Sequence, residues 1–184
     1  MKTRFFLLCS LLPVWLIANG QTGTTATCSP VKDGKICYSD DVSTTHAESR
    51  LYAIISKWAN DSFGTDIFYS NVSLNKNRGT VLVSSKMELL LNKTEKTYIK
   101  FRLRISCYNK RYTAELTDIV YQYDPYNDKR IKTYPAESVI LNEGKSNSVA
   151  IIKDPLLFCE ATHDFAEKLL GEIFDATKRK QDPL

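Results

Sequence analysis

The sequence is poor in the residues that mark fibrous, linker-like and disordered chains. Its 184 residues include 7 Gly and 6 Pro, which excludes the collagen-like and Pro-rich classes. The formal net charge of +4 is too small to indicate a nucleic-acid-binding or membrane-binding protein. By contrast, 43% of the residues are hydrophobic and 11% are aromatic, enough for one hydrophobic core in a chain of this length. We therefore expect a globular domain.

Sequence motifs of catalysis and cofactor binding are absent too. The chain has no Gly-rich phosphate-binding loop, no nucleophile elbow and no HExxH motif. Cys159 and His163 have helical i, i+4 spacing, but a zinc site lacks a third ligand and a nucleophilic pair lacks an orienting group. Asp124–Asp128 lacks the Gly and the trailing Glu of a calcium loop. We predict that the protein is not an enzyme and that it binds no cofactor and no metal.

A long apolar run occurs only at the N-terminus. Lys2 and Arg4 precede the apolar segment Phe5–Ala18, and small residues end at Gly20, a pattern typical of a signal peptide cleaved near Gly20. The run of about 14 residues is shorter than the 18 or more that cross a bilayer. Residues 1–20 therefore predict an exported protein, periplasmic or secreted, with no membrane span after cleavage. A retained N-terminal anchor and a lipoprotein are the alternatives.

Four cysteines remain after removal of the leader, and an even number in an exported chain permits two disulfides. Cys28 and Cys37 flank a turn at Asp33–Gly34, and we favour a pair between them. Cys107 lies near a strand end and Cys159 near a helix start, which favours the pair 107–159. Buried free thiols are the alternative, because cysteine also packs as a small hydrophobic residue.

The remaining pattern predicts one α+β domain. A polar tether (21–34) precedes the domain (35–178), and a short tail (179–184) follows it. Helical periodicity indicates a first helix, with Thr45 and Glu48 as a capping box, and a last helix that begins at Asp154–Pro155. The strands are expected at Lys35–Val42, Asp66–Leu74, Thr80–Leu91, Tyr98–Tyr108 and Arg111–Tyr123. The order β-α-β-β-β-β-α favours a two-layer sandwich, an antiparallel sheet with both helices on one face.

The last two strands have a register that the sequence itself tests. A tight turn at Asn109–Lys110 returns the chain, so Tyr108 should face Arg111. This register sets Leu103 opposite Leu116, Ile105 opposite Ala114, and Arg104 opposite Glu115 as an ion pair. A slip of one residue would lose all three matches. Asp118 opposite Phe101 is the mismatched pair.

Strand alternation also predicts which side chains the open sheet face presents. The expected binding residues are aromatic and basic: Tyr98, Lys100, Arg102, Arg104, Tyr121 and Tyr123. Such a surface suits a protein or a glycan, and also single-stranded nucleic acid, which we do not expect as the ligand of an exported protein. A simple preference of these residue types for strands is the alternative interpretation.

These elements resemble a known family. The strand Lys35–Val42, the helix sequence LYAIISKWAN, the turn ending at Arg78–Gly79 and the strand start Arg111–Tyr112 are similar to a domain of unknown function with a TATA-binding-protein-like fold, found in exported proteins of the Bacteroides group. The resemblance covers Lys35–Tyr123 and implies a β-α-β4-α architecture. It implies no catalytic residue, cofactor or partner.

We therefore predict a non-catalytic exported domain that binds a protein or a cell-envelope component through the open sheet face. The alternative function is that of a structural or assembly subunit that self-associates through the last helix or an edge strand. The sequence predicts neither the oligomeric state nor the identity of the ligand.

Overall fold

A computed structural model describes residues 28–123, 132–141 and 152–178 and has the expected α+β architecture. The predictions for the leader (1–20), for residues 21–27 of the tether and for the tail (179–184) lie outside the described residues. The elements in chain order are β1 (Val31–Lys32), β2 (Lys35–Ile36), β3 (Tyr38–Ser43), α1 (Glu48–Phe63), β4 (Ser70–Asn75), a 3₁₀ turn (Lys76–Arg78), β5 (Thr80–Leu90), β6 (Lys96–Tyr108), β7 (Arg111–Gln122), β8 (Thr133–Pro135), α2 (Ala136–Ile140) and α3 (Pro155–Lys178).

An antiparallel sheet with the strand order β3-β7-β6-β5-β4 forms one layer, and β8 pairs with the end of β7. Helices α1 and α3 contact each other and pack on the same face of this sheet. Every second strand residue points toward them, so that Val83 and Leu103 join Ile55 of α1 and Ile173 of α3 in one buried core. The predicted two-layer arrangement is confirmed, and among the described residues no helix covers the opposite face, here called the outer face.

The first helix begins later than the capping-box prediction requires. Ala47 is its N-cap and makes no side-chain hydrogen bond, so the predicted box of Thr45 and Glu48 is wrong. The preceding segment is held by the β6–β7 turn instead, because the backbone N–H of Lys110 donates to the carbonyl oxygen of His46 at 3.0 Å. This contact holds the bend at residues 45–46 beside the β6–β7 turn, and Ala47 follows it in an extended conformation.

The last helix starts as the sequence predicts. The carboxylate of Asp154 accepts the backbone N–H of Leu157 at 3.2 Å, and Pro155 occupies the first helical position. The expected apolar stripe is buried along its length, from Phe158 to Ile173. Strand β8 and helix α2 lie between β7 and α3, where the sequence pattern predicts no element.

The predicted β6–β7 register is confirmed for the residues near the turn. Tyr108 faces Arg111, and Leu103, Arg104 and Ile105 face Leu116, Glu115 and Ala114. The register then shifts between Lys100 and Arg102, where a β-bulge interrupts the pairing. Asp118, the expected mismatch, is the residue at this bulge and has a positive φ of 53°.

The bulge reverses the orientation of the rest of β7. Before it, the even-numbered residues Tyr112 and Leu116 face the core, whereas after it the odd-numbered residues Ile119, Tyr121 and Tyr123 do. The prediction that Tyr121 and Tyr123 lie on the outer face is therefore wrong. One extra residue in a strand moves every following side chain to the other face.

The predicted disulfides are wrong as well. Cys28 is bonded to Cys159 at a Cα–Cα distance of 6.0 Å, and Cys37 and Cys107 are free and buried. Residues 28–34 consequently belong to the packed structure, including β1, and the tether prediction is wrong for this stretch. The hydroxyl of Ser29 lies 2.7 Å from that of Tyr38, which further fixes the segment against β3.

Candidate functional site

Strand β6 supplies the centre of the candidate site. Its side chains alternate strictly, so that Tyr98, Lys100, Arg102 and Arg104 are exposed on the outer face while the residues between them are buried. Alternate residues of a strand lie about 6.7 Å apart, and the three cations therefore form a regular row. The structure confirms these four residues as neighbours on one open face.

Tyr121 and Tyr123 are separated from this row because the bulge turns them into the core. The hydroxyl of Tyr121 lies 2.6 Å from that of Thr162 on α3, and burial raises the pKa of Tyr121. The hydroxyl of Tyr123 donates to the carboxylate of Glu95. Both rings stabilise the contact between the sheet and α3, and neither is available to a ligand on the outer face.

Strand β5 contributes a cation that the sequence prediction missed. Lys86 lies directly opposite Lys100, and Ser84 and Leu82 lie opposite Arg102 and Arg104. We call Lys86, Lys100, Arg102 and Arg104 the basic stripe. The alternation of β5 places Lys86 on the outer face, but its position beside Lys100 depends on the β5–β6 register, which alternation alone does not determine.

Two tyrosines hold Lys86 at one end of the basic stripe. Its ammonium lies 4.3 Å from the ring centroid of Tyr98 and 5.4 Å from that of Tyr69. Tyr98 and Tyr69 are 45% and 54% exposed, so both rings have surface left for a ligand. Cation–π contacts at exposed sites contribute about 0.5–1 kcal/mol, and they orient the ammonium without neutralising its charge.

Ion pairs neutralise only part of the basic stripe. Arg102 contacts the carboxylate of Asp118 at 2.8 Å, so the bulge places a counter-ion beside it. The predicted ion pair between Arg104 and Glu115 is wrong, since Glu115 pairs with Lys32 at 3.5 Å instead. Within the described residues, Lys86, Lys100 and Arg104 have no ion-pair partner.

The outer face therefore combines like charges that the fold itself does not compensate. Lys86 and Lys100 lie directly opposite each other on the adjacent strands β5 and β6, and like charges in such a pair destabilise a sheet. Asp118 lies beside Arg102 and Glu115 lies opposite Arg104 on the same face. The excess positive charge is therefore concentrated at Lys86 and Lys100, where it attracts anionic ligands. The basic stripe is suited to bind an anionic group or an acidic surface.

The thiols and histidines do not form a reactive centre in the described residues. Cys159 is in a disulfide, and it therefore has no thiolate to ligate zinc or to attack a substrate. Burial raises the pKa of Cys107 to about 12, and it also raises that of Cys37, where Glu115 adds to the effect. The parts of the chain that the structure describes contain no group of three or more potential metal ligands.

A cavity of about 610 Å³ lies between the end of β3 and the last turn of α3. Its wall includes His46, whose ring Nε2 lies 3.0 Å from the carbonyl oxygen of Thr177. Lys178 lies at the same cavity, with its ammonium 4.1 Å from the ring centroid of Phe174. The outer face presents a larger set of convergent charges, so it is the stronger candidate.

No helix in residues 28–123, 132–141 and 152–178 combines the length and the hydrophobicity that crossing a bilayer requires.

Comparison with known proteins identifies the family. A crystal structure of a TBP-like protein from Parabacteroides distasonis shares 56% sequence identity with the chain, covers 83% of it and 98% of its own length, and has a TM-score of 0.77. The profile of the domain of unknown function DUF4468, described as having a TBP-like fold, matches residues 38–122. The chain belongs to the DUF4468 family. The resemblance inferred from the sequence is thereby confirmed.

A second DUF4468 structure, from Bacteroides ovatus, is similar in fold alone. It shares 17% identity, covers 86% of this chain and 95% of its own, and has a TM-score of 0.68. No curated protein matches the chain. The DUF4468 match extends from β3 to β7 and therefore includes the whole basic stripe.

Proposed function

We propose that this DUF4468 protein is an exported, non-catalytic binding module whose outer sheet face binds an anionic protein or cell-envelope component. The observation that carries the proposal is the uncompensated pair of Lys86 and Lys100, directly opposite each other and in line with Arg104. Like charges directly opposite one another destabilise strand pairing, and the cation–π contacts of Lys86 orient its ammonium without neutralising it.

The geometry of the stripe favours an extended anionic ligand. Lys100 and Arg104 are separated by four residues of one strand, or about 13 Å, and Lys86 lies beside this row. Tyr98 and Tyr69 add apolar surface at the Lys86 end. A ligand that spans the stripe therefore meets several cations and two aromatic rings together, and exposed charges of this kind contribute mainly to association rate and orientation.

The disulfide supports the export part of the proposal. Disulfides persist in oxidising compartments and are rare in reducing ones, and Cys28 is bonded to Cys159 across most of the chain. This bond agrees with the leader-like pattern of residues 1–20. Intact-mass measurement of protein from the cell envelope tests both points, since export predicts a chain that begins near Gln21 and carries the disulfide.

A charge-matched pair of variants tests the binding site. The sheet-face variant carries Lys86→Ala, Lys100→Ala and Arg104→Ala. The helix-face variant carries Arg50→Ala, Lys57→Ala and Lys168→Ala. It also loses three positive charges, but from exposed positions on the helix layer. The probes are polyglutamate and a polyuronate, which represent an acidic protein and an anionic glycan.

The two variants have the same net charge, so net charge alone predicts equal binding. At about 0.5 kcal/mol for each exposed charge, the sheet-face variant should bind at least one probe about tenfold more weakly than the wild type. The helix-face variant should keep the wild-type affinity, and added salt should weaken the wild-type binding. Equal affinity of the two variants would overturn the assignment to the outer face, and a preference for one probe would identify the chemical class of the ligand.

A further inference from the structure

We propose that the edge strand β4 pairs with β4 of a second copy of this chain, so that two molecules join their sheets in an antiparallel dimer. The proposal does not depend on the outer-face binding function, because it concerns the edge of the sheet. Its basis is that β4 is an uncharged strand with one edge unpaired among the described residues, preceded by an acidic residue and followed by basic ones.

Strand β4 is an unpaired edge in the part of the chain that the structure describes. It pairs with β5 on one side only. The backbone N–H of Lys86 donates to the carbonyl oxygen of Tyr69 at 2.8 Å, so the odd-numbered residues of this segment are directed at β5. Because antiparallel strands alternate, the N–H and C=O groups of Ser70, Val72 and Leu74 are directed at the open side.

The two edges of the sheet differ in how they discourage association. The other edge strand, β3, carries Asp40 and also Asp41, which pairs with Arg111, and charged side chains on an edge discourage pairing with a further strand. Strand β4 has the sequence SNVSLN, with no charged residue and no Pro. Proteins that remain monomeric usually protect an edge with Lys, Pro or a bulge, and β4 has none of these devices.

Exposed apolar residues lie next to this edge. The turn that leads into β4 contains Ile67 and Phe68, which are 77% and 88% exposed, and Leu74 near the other end of the strand is 43% exposed. When β4 pairs with a reversed copy of itself about Val72, Leu74 of one chain lies opposite Ser70 of its partner, next to the turn that carries Ile67 and Phe68. The pairing therefore covers at both ends the apolar surface that a single chain leaves in water.

Charge complementarity selects a second copy as the occupant. A twofold axis at Val72 sets each Val72 opposite its own copy and Ser70 opposite Leu74. The turn that precedes β4, with Asp66, and the 3₁₀ turn that follows it, with Lys76 and Arg78, then lie at the same end of the paired strands, one from each chain. Asp66, Lys76 and Arg78 are exposed, and none of them has an ion-pair partner among the described residues. The acidic residue before β4 of one chain therefore lies near the basic residues after β4 of the other, and the twofold axis repeats this contact at both ends of the dimer.

Cysteine cross-linking tests the register directly. Val72→Cys places two thiols opposite each other at the twofold axis, where antiparallel Cα atoms lie about 5.5 Å apart, within disulfide reach. Val42→Cys is the matched control, the same substitution on the opposite edge strand β3. We expect mild oxidation to give a covalent dimer with Val72→Cys and at least tenfold less with Val42→Cys. Equal yields from the two variants would overturn the proposal.

Charge exchange gives a second test that does not depend on a new thiol. Sedimentation of the wild type at about 100 μM, where a dimer of micromolar Kd is nearly complete, should show a dimer. Asp66→Arg should weaken it at least tenfold, and adding Arg78→Asp in the same chain should restore it. A wild type that sediments as a monomer, or a charge exchange that fails to restore the dimer, would contradict the proposal. Wild-type association that Asp66→Arg leaves unchanged would place the interface elsewhere on the molecule.

Discussion

Removal of the Cys28–Cys159 disulfide should destabilise the protein by several kcal/mol. The two cysteines are 131 residues apart, so the bond closes nearly the whole domain into a loop. The loss of chain entropy in the unfolded state grows with the logarithm of loop length, and for this separation it amounts to about 5 kcal/mol at 25 °C. A bond between Cys28 and Cys37 would close a far shorter loop and contribute only about 2.6 kcal/mol.

The perturbation is the double variant Cys28→Ala with Cys159→Ala, and equilibrium unfolding in guanidinium chloride measures it. The free energy of unfolding should fall by about 3–5 kcal/mol, since measured disulfide effects are often below the entropic value, and Tm should fall by about 10–20 °C. Cys37→Ala is the control for loss of a buried cysteine. The reductant dithiothreitol should lower the free energy of unfolding of the wild type toward that of the double variant.

Two results would refute this reasoning. One is a decrease of less than about 1 kcal/mol in the free energy of unfolding of the double variant, because the chain-entropy model assigns a much larger effect to a loop of this length. The other is peptide mapping of the oxidised protein that shows Cys37 or Cys107 in a disulfide. Both thiols are buried and free in the structure, and they should react with an alkylating reagent only after unfolding.

Three further predictions concern the core. Gly79→Ala should cost about 1–3 kcal/mol in urea unfolding, because residue 79 has a φ of 58° and a new Cβ would lie 2.9 Å from the carbonyl oxygen of Cys107; unchanged stability would contradict this turn geometry. Tyr121→Phe should cost about 1 kcal/mol, since Tyr121 donates to the hydroxyl of Thr162, which itself donates to a backbone carbonyl. Tyr112→Phe should cost less, because no described atom meets hydrogen-bond geometry with the Tyr112 hydroxyl; the opposite order in the same unfolding assay would be a contradiction. Burial raises the pKa of both Cys107 and Tyr112 to about 12. The stability that these groups contribute is therefore complete below about pH 9 and decreases as the pH rises toward 12, by at most about 1.4 kcal/mol per pH unit for each group. Urea midpoints that stay constant above pH 9 would contradict this burial.

The fold could be predicted because its strands and helices obey simple periodicities. Strict alternation in β6 and the turn after Tyr108 fixed the pairing with β7, since one register alone matched apolar with apolar residues and Arg104 with Glu115. The Asp154–Pro155 start of α3 depends on local backbone chemistry, which a sequence displays directly.

The bulge shows where this reasoning reaches its limit. Asp118 was recognised as a mismatch opposite Phe101, but alternation was carried through it unchanged to Tyr121. In the structure, a bulge adds one residue to β7, so that apolar residues face the core on both sides of it. The bulge also places the Asp118 carboxylate beside Arg102. A mismatch of a charge with an aromatic core residue is therefore a usable signal for a bulge.

The disulfide and the basic stripe depended on contacts between residues far apart in the sequence. Cys28 reaches Cys159 because the β1–β2 hairpin carries the chain start to α3, which no local pattern reveals. Lys86 joins Lys100 because β5 pairs with β6 in one particular register. The row on β6 itself was predicted, since it needs only the alternation of a single strand.

The central proposal is that the outer sheet face binds an anionic protein or cell-envelope component. The most direct measurement captures material from an envelope extract of the producing organism with three immobilised chains: the wild type, the sheet-face variant and the helix-face variant. The account predicts one anionic component bound by the wild type and the helix-face variant and lost from the sheet-face variant, with all three showing the same unfolding midpoint to within the small effect of relieved charge repulsion. Capture of the same component by the sheet-face variant, or of none by any chain, would contradict the claim.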